Sequence, residues 1–195
     1  DFLIAMADAS GQDLSQFALW YSQAGTPEIT VSDTYDAEKT TYSILINQSC
    51  RSTSQQPAVK PFEMPLVLGF LNRSGDDLPL IPQADSSEQK SQQPRMLRIN
   101  KECQKFQFKN VLERPVPSYL RGFSAPVKLK SQHTDEELAI LFSYDSDLFN
   151  RWEAGQVLAV KVLLSAANNF DNTSQTKNRK NFPNAEQYVG AIGKL

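Results

Sequence analysis

The stretch Leu14–Val31, LSQFALWYSQAGTPEITV, contains the change from a helical to a β pattern that decides the fold. Its first half has apolar and aromatic residues at helical spacing. Asp13 is a favourable N-cap residue, and Gln16 lies where it could complete a capping box. This half therefore predicts a helix over residues 14–23.

The second half of the stretch ends that helix and begins a strand. Gly25 stands where a left-handed helix end costs least, and Pro27 prevents the helix from resuming. Ile29 and Val31 then alternate with polar residues, which is the period of a half-buried strand. A helical unit therefore ends here and an all-β unit begins.

Short strands with turn residues between them continue to about residue 130. The alternation predicts two buried strand faces, formed by Tyr42, Ile44 and Ile46 and by Phe62, Met64, Leu66, Leu68 and Phe70. A hairpin across Asn100–Cys103 is predicted to pair the strand of Leu97 and Ile99 with the strand of Phe106 and Phe108. About seven or eight such strands indicate an antiparallel β-sandwich.

The chain becomes helical again after the predicted strands. Thr134 to Glu137 has the sequence of a capping box and launches a helix. A longer helix is predicted from Asp147 to about Asn168, and a last one from about Asn184. The longer helix is apolar almost all round, which favours a place inside a larger helical body. The helical part is therefore predicted to be an incomplete helical domain. We also interpret the start at Asp1 as that of an excised piece.

Composition limits the classes of partner. The 195 residues carry 20 Lys and Arg against 22 Asp and Glu, a formal net charge of −2. A nearly neutral chain favours neither nucleic acid nor an anionic membrane as a partner. No apolar run approaches the roughly 20 residues that span a bilayer.

Few residues could carry chemistry. Cys50 and Cys103 are 53 positions apart in the β region, but position 101 is Lys and no Trp lies between them, so we expect free thiols rather than an immunoglobulin-type disulfide. His133 is the single histidine, with Ser131 and Asp135 two residues away on either side. We interpret it as a solvated linker residue, because side chains two apart in an extended segment do not converge.

Three runs resemble the bacterial aminopeptidase N (alanyl aminopeptidase) family of zinc metallopeptidases. They are Leu14–Val31, Phe123–Leu129 (FSAPVKL) and Asp147–Gln156 (DLFNRWEAGQ), in the family's order and at plausible separations. The resemblance covers nearly the whole chain, although none of the three runs is a catalytic motif.

The resemblance also implies what this chain lacks. The family's zinc site needs an H-E-x-x-H helix with a further Glu ligand, and a chain with one histidine cannot supply it. The family's G-A-M-E-N loop, which holds the substrate's amino terminus, is missing too. We therefore predict no catalytic and no metal-binding residue here. Zinc is implied for the parent enzyme only, and this segment alone is predicted to be inactive.

The resemblance implies a mainly β fold with flanking helices in three parts. Residues 1–25 would be the last helices of the catalytic domain, residues 26–130 an immunoglobulin-like sandwich, and residues 131–195 the opening of the helical C-terminal domain. The sandwich would be a non-catalytic spacer in a cytoplasmic enzyme that removes N-terminal Ala and other small or basic residues from peptides. The rival hypothesis is a free-standing sandwich that binds proteins.

Partners are implied in the same way. The segment would contact the missing catalytic and C-terminal helical portions of the same polypeptide, and peptide substrates only through the parent. The predicted anchors of these domain contacts are aromatic: Phe17, Trp20, Tyr21, Phe149 and Trp152.

Overall fold

The N-terminal segment is less helical than its sequence pattern predicts. The computed structural model describes residues 2–56, 58–79, 95–171 and 185–194, without the side chains of 168–171 and 185–187. Helix α1 spans Phe2–Ser10 and α2 only Leu19–Ser22. The predicted capping box does not form, because the Gln16 amide donates instead to the carbonyl oxygens of Pro61 (3.0 Å) and Asn100 (2.6 Å). A tertiary contact thus replaces the local one.

Within the described residues two sheets follow, each of four strands. The strands are β1 (Glu28–Asp36), β2 (Thr41–Ser49), β3 (Met64–Leu71), β4 (Asp77–Leu78), β5 (Arg95–Ile99), β6 (Cys103–Phe108), β7 (Val116–Tyr119) and β8 (Lys128–Lys130). One sheet has the order β6-β2-β1-β8; in the other, β3 pairs with β4, β5 and β7. All pairs are antiparallel except β1 with β8, which is parallel.

The inner faces of the two sheets form the main core. Both predicted faces are buried there, at 0 or 1% exposure for every member. Phe70 joins the sheets, because its ring packs edge-on against Tyr42 (4.9 Å) and Phe108 (5.0 Å). The period-two pattern therefore identified the core correctly, and the predicted sandwich is confirmed.

The predicted hairpin between β5 and β6 is wrong. β5 pairs with β3, whereas β6 pairs with β2 in the other sheet. The chain crosses between sheets at Asn100 to Glu102, where the Gln104 side chain accepts hydrogen bonds from the backbone N–H groups of Asn100 and Lys101. Alternation sets which residues face inward, but it does not say which sheet a strand joins.

The described residues of the C-terminal part include α3 (Asp135–Tyr144), α4 (Leu148–Asp171) and α5 (Ala185–Ile192). The capping box of α3 forms as predicted: Thr134 Oγ1 accepts from Glu137 N–H (3.2 Å), and Glu137 Oε2 accepts from Thr134 N–H (2.9 Å). These helices share a second core with the sandwich, formed by Leu71, Val116, Leu138, Leu141, Ala154 and Leu158. In the described part of the chain, no helix has both the length and the apolar character needed to cross a membrane.

Candidate functional site: the joints at either end of the sandwich

The sandwich meets the helices around one buried arginine. Arg121 is 6% exposed, and its Nη2 donates to Asp77 Oδ1 (2.9 Å) and Asp145 Oδ1 (3.1 Å). Its Nε donates to Ser118 Oγ (2.9 Å). Asp77 and Ser118 belong to the sandwich, while Asp145 lies between α3 and α4, so one guanidinium connects the two units.

The backbone is shaped to bring this side chain inward. Leu120 and Phe123 have positive φ values of 56° and 52°, a conformation that few non-glycine residues adopt. The guanidinium then crosses β3 at Gly69, where an added Cβ would lie 2.1 Å from Arg121 Cζ. Only a residue without a side chain leaves room for it.

Asp145 is the most deeply buried carboxylate at this joint. Its side chain is 0% exposed, and burial raises the pKa of this carboxyl above its usual range. Its Oδ1 also accepts from Asp147 N–H (2.9 Å). The group therefore orders the turn between α3 and α4 as well as pairing with Arg121.

The first turn of α4 is tied to the sandwich by two polar side chains. Asp147 caps the helix through Asn150 N–H (2.9 Å), and its other oxygen accepts from Gly122 N–H (2.7 Å). Asn150 Nδ2 donates to Ser118 Oγ (2.9 Å) and to the carbonyl oxygen of Tyr119 (2.7 Å). Asp145 and Asp147 therefore order the start of α4 and attach it to the sandwich.

Arg114 makes a second ionic link across the joint. Its Nη2 lies 2.8 Å from Asp33 Oδ2 on β1, and its Nε lies 3.6 Å from Glu137 Oε1 at the start of α3. Because Glu137 also completes the capping box, the start of this helix is fixed to the first sheet.

The N-terminal segment is joined to the sandwich mainly by amides. Gln23 and Lys60 exchange two hydrogen bonds of 2.8 Å, from Gln23 Nε2 to Lys60 O and from Lys60 N–H to Gln23 Oε1. Trp20 Nε1 donates to the carbonyl oxygen of Glu63 (2.7 Å), and its ring lies 4.4 Å from that of Phe62. This indole therefore packs against the main core.

The other predicted anchors take different positions. Phe17 contacts Tyr21 edge-on at 6.4 Å, and Tyr21 is 70% exposed. Phe149 packs on Phe123 at 3.9 Å and lies 5.7 Å from Trp152, which is 54% exposed. The five residues thus form one cluster at each end of the sandwich, and the outer member of each cluster faces solvent.

The interpretation of His133 as a solvated residue is wrong. His133 is half-buried, with Nε2 2.8 Å from the Pro117 carbonyl oxygen and Nδ1 3.0 Å from Ser131 Oγ. A carbonyl only accepts, so Nε2 carries a proton and donates it to the Pro117 oxygen. The local backbone thus does bring Ser131 to the ring, while Asp135 pairs with Lys161 Nζ (2.6 Å).

The two cysteines are free thiols, as predicted. Among the described residues, no group of three or more His, Cys, Asp and Glu is placed to hold a metal ion. Most of the polar groups described at the two joints are used in hydrogen bonds and ion pairs, although Asp145 Oδ2 is buried without a hydrogen-bond partner.

The fold and its joints define the class: an immunoglobulin-like sandwich joined to a helical array by ion pairs and hydrogen bonds. The chain belongs to the family described as "Domain of unknown function (DUF3458) Ig-like fold", whose model matches residues 25–132. A second model, "Domain of unknown function (DUF3458_C) ARM repeats", matches residues 135–195.

Longer relatives confirm the resemblance found in the sequence. Aminopeptidase N of Escherichia coli (strain K12) is 38% identical over 170 residues, covering 86% of this chain and 19% of the relative. Aminopeptidase N of Haemophilus influenzae is 36% identical over 163 residues, covering 84% and 18%. A crystal structure of Legionella pneumophila aminopeptidase A in complex with aspartic acid matches with a TM-score of 0.71 at 26% identity, covering 98% of this chain and 19% of that one. The chain spans about one fifth of the length of these proteins.

Proposed function

We propose that this chain is a non-catalytic structural segment of a zinc-dependent aminopeptidase. The observation that carries the proposal is the similarity to aminopeptidase N, which extends over 86% of the chain and includes helices as well as the sandwich. A free-standing binding module would not account for similarity beyond the sandwich. In the parent, residues 1–25 would end the catalytic domain, 26–130 form the spacer, and 131–195 open the helical domain.

The role of the segment would be to hold two larger domains at a fixed distance and angle. Catalytic groups lose much of their effect when they are displaced by about 1 Å, so a support must be rigid. The buried Arg121 and Asp145 pair and the Asp147 and Asn150 contacts supply such rigidity. The exposed faces of Tyr21 and Trp152 would meet the rest of the polypeptide.

The chemistry would belong to residues outside this chain. In the parent, zinc would polarise the scissile carbonyl and lower the pKa of a bound water. The substrates would be peptides with N-terminal Ala or other small or basic residues, and the enzyme would act in the cytoplasm. This segment would contribute no ligand, since its single histidine already contacts Pro117 and Ser131.

A segment exchange tests this role. The matched region of E. coli aminopeptidase N is replaced by this chain, and hydrolysis of alanine 4-nitroanilide and bound zinc are measured. We expect the hybrid to bind zinc and retain activity, and the isolated chain with added zinc to show none. Hydrolysis by the isolated chain, or a folded, zinc-loaded but inactive hybrid, would contradict the proposal.

A further inference from the structure

The side of α4 that faces solvent is apolar. Leu148, Trp152, Val160 and Leu163 are 52–75% exposed. With 3.6 residues per turn, these four positions fall on one side of the helix, and we call them the outer stripe. At about 1.5 Å per residue, the outer stripe extends for roughly 22 Å along α4, which is about four turns.

The charged residues of α4 lie mainly on its packed side, which is the reverse of an ordinary surface helix. Of the three at positions 148–167, Arg151 donates to two backbone carbonyl oxygens in the last turn of α3, and Lys161 pairs with Asp135 at the start of α3 (2.6 Å). The third, Glu153, lies at the edge of the outer stripe. The buried Leu158 shares the packed side. α4 is therefore built to be covered on both sides.

The apolar surface continues from α4 onto the sandwich. Phe149 packs on Phe123 (3.9 Å between ring centroids), and Phe123 is 65% exposed. Phe123 also has a φ of 52°, which is an unfavourable conformation for a bulky side chain. Strain that is kept at an exposed aromatic residue suggests a functional contact at this position.

The arrangement of the helices indicates what would cover the outer stripe. α3 packs between α4 and α5, where the rings of Phe142 and Tyr188 stack at 5.9 Å. The model that matches residues 135–195 describes ARM repeats. A helical repeat buries its apolar surface by stacking on neighbouring repeats of the same chain. Because the matched region is only 19% of E. coli aminopeptidase N, most of such a polypeptide lies outside it.

We propose that another helical repeat of the same polypeptide, outside these 195 residues, packs across the outer stripe of α4. α4 would then be a middle layer, with α3 and the sandwich on one side and a helix of that repeat on the other. The inference rests on the function proposed above, because it requires the longer polypeptide.

Photo-crosslinking in the full-length polypeptide tests which part covers the outer stripe. Leu163→p-benzoylphenylalanine places a photoreactive ring there, and mass spectrometry of tryptic peptides identifies its neighbour after irradiation. We expect a crosslink within one molecule, to a helical repeat outside the 195 residues. Leu112→p-benzoylphenylalanine, at a residue 85% exposed outside the helices, is the control and should not reach that repeat. A crosslink to the catalytic part or to a second copy, or none, would overturn the proposal.

An activity assay on the same polypeptide separates this inference from the proposed function. Hydrolysis of alanine 4-nitroanilide without the expected crosslink would refute only the assignment of the outer stripe. The expected crosslink in a polypeptide that has no peptidase activity would refute only the proposed function.

Thermal unfolding gives a second test that does not depend on crosslinking. Leu163→Lys should lower the Tm of the full-length polypeptide by several degrees and leave that of the isolated 195-residue chain unchanged. The reason is that a charged side chain is costly only where the stripe is covered. Leu112→Lys should change neither Tm. An equal shift in both proteins for Leu163→Lys, or no shift in the full-length polypeptide, would contradict the proposal.

Discussion

The buried Arg121 side chain has polar partners from three separate segments of the chain. Asp77 is the first residue of β4, Ser118 lies on β7, and Asp145 follows the last residue of α3. A buried cation is tolerated only with such compensation, and the same holds for the fully buried Asp145 carboxylate. The joint therefore depends on the pair rather than on either residue.

Arg121→Leu should lower the free energy of unfolding by about 3–5 kcal/mol, because it leaves the Asp145 carboxylate buried without its cation. The double variant Arg121→Leu with Asp145→Leu should recover much of this loss, since no charge then remains buried there. Urea denaturation followed by circular dichroism measures both values. A double variant less stable than the single one would show that the charge is not the cause.

Asp145 should also give the stability a pH dependence of known sign. Because burial raises its pKa in the folded protein, the folded state binds the proton more readily than the unfolded chain. Its contribution is therefore fully present below the unfolded pKa and is lost as pH rises through the folded pKa.

The matched variant for this test is Asp145→Asn, which does not titrate. The free energy of unfolding of the wild type minus that of the variant should fall as the pH rises above the ordinary carboxyl pKa of about 4. Denaturation curves at several pH values give this difference. A difference that rises with pH would mean that the ion pair with Arg121 outweighs the effect of burial.

Gly69→Ala should disturb the joint around Arg121, because the added methyl group would meet the guanidinium. The new Cβ would lie 2.1 Å from Arg121 Cζ, and the guanidinium cannot move away without leaving Asp77 and Asp145. We expect a loss of about 1–3 kcal/mol in thermal or urea unfolding. Gly190→Ala is the control, because it has open space in α5 and should be neutral or slightly stabilising. Equal effects at the two positions would refute the close approach.

The secondary-structure elements that depend on residue spacing were predictable from the sequence. Those that depend on contacts between residues far apart in the chain were not. The inward faces of β2 and β3 and the capping box of α3 follow from spacing alone. The helix predicted over residues 14–23 is shortened because Gln16 bonds to residues 45 and 84 positions away. No periodicity encodes contacts of that range.

The cap of α3 offers a test at this scale. Thr134→Ala removes the acceptor for Glu137 N–H and should cost about 1 kcal/mol, while Thr134→Ser should retain most of the stability. Thermal unfolding of both variants gives the comparison. If serine and alanine are equally destabilising, the methyl group rather than the hydroxyl is responsible.

In the whole molecule, α4 presents a large apolar surface to solvent. Leu148, Val160, Leu163 and Leu164 are 52–75% exposed, and Phe123 beside Phe149 is 65% exposed. Large exposed apolar patches are rare on monomeric proteins. The sequence indicated this excess through its all-round apolar pattern, whereas the ionic joint beside it gave no sequence signal, because Asp77, Arg121 and Asp145 are far apart in the chain.

The chain should consequently self-associate as its concentration rises. Leu163→Lys with Leu164→Lys should reduce association without loss of stability, because both side chains are exposed. Sedimentation velocity at several concentrations measures this. Leu112→Lys, a change at a residue 85% exposed and outside the helices, is the control and should have no effect. Unchanged association of the double variant would exclude this face of α4.

The two ends of the sandwich are attached by different kinds of bond. Glutamine amides and an indole hold the N-terminal segment to the loop before β3, and none of these groups titrates in the usual pH range. Carboxylates and arginines hold the helices. Dissolved salt would therefore screen the partly exposed pairs of Arg114 at the helical end of the spacer and leave the amide contacts at its N-terminal end unchanged.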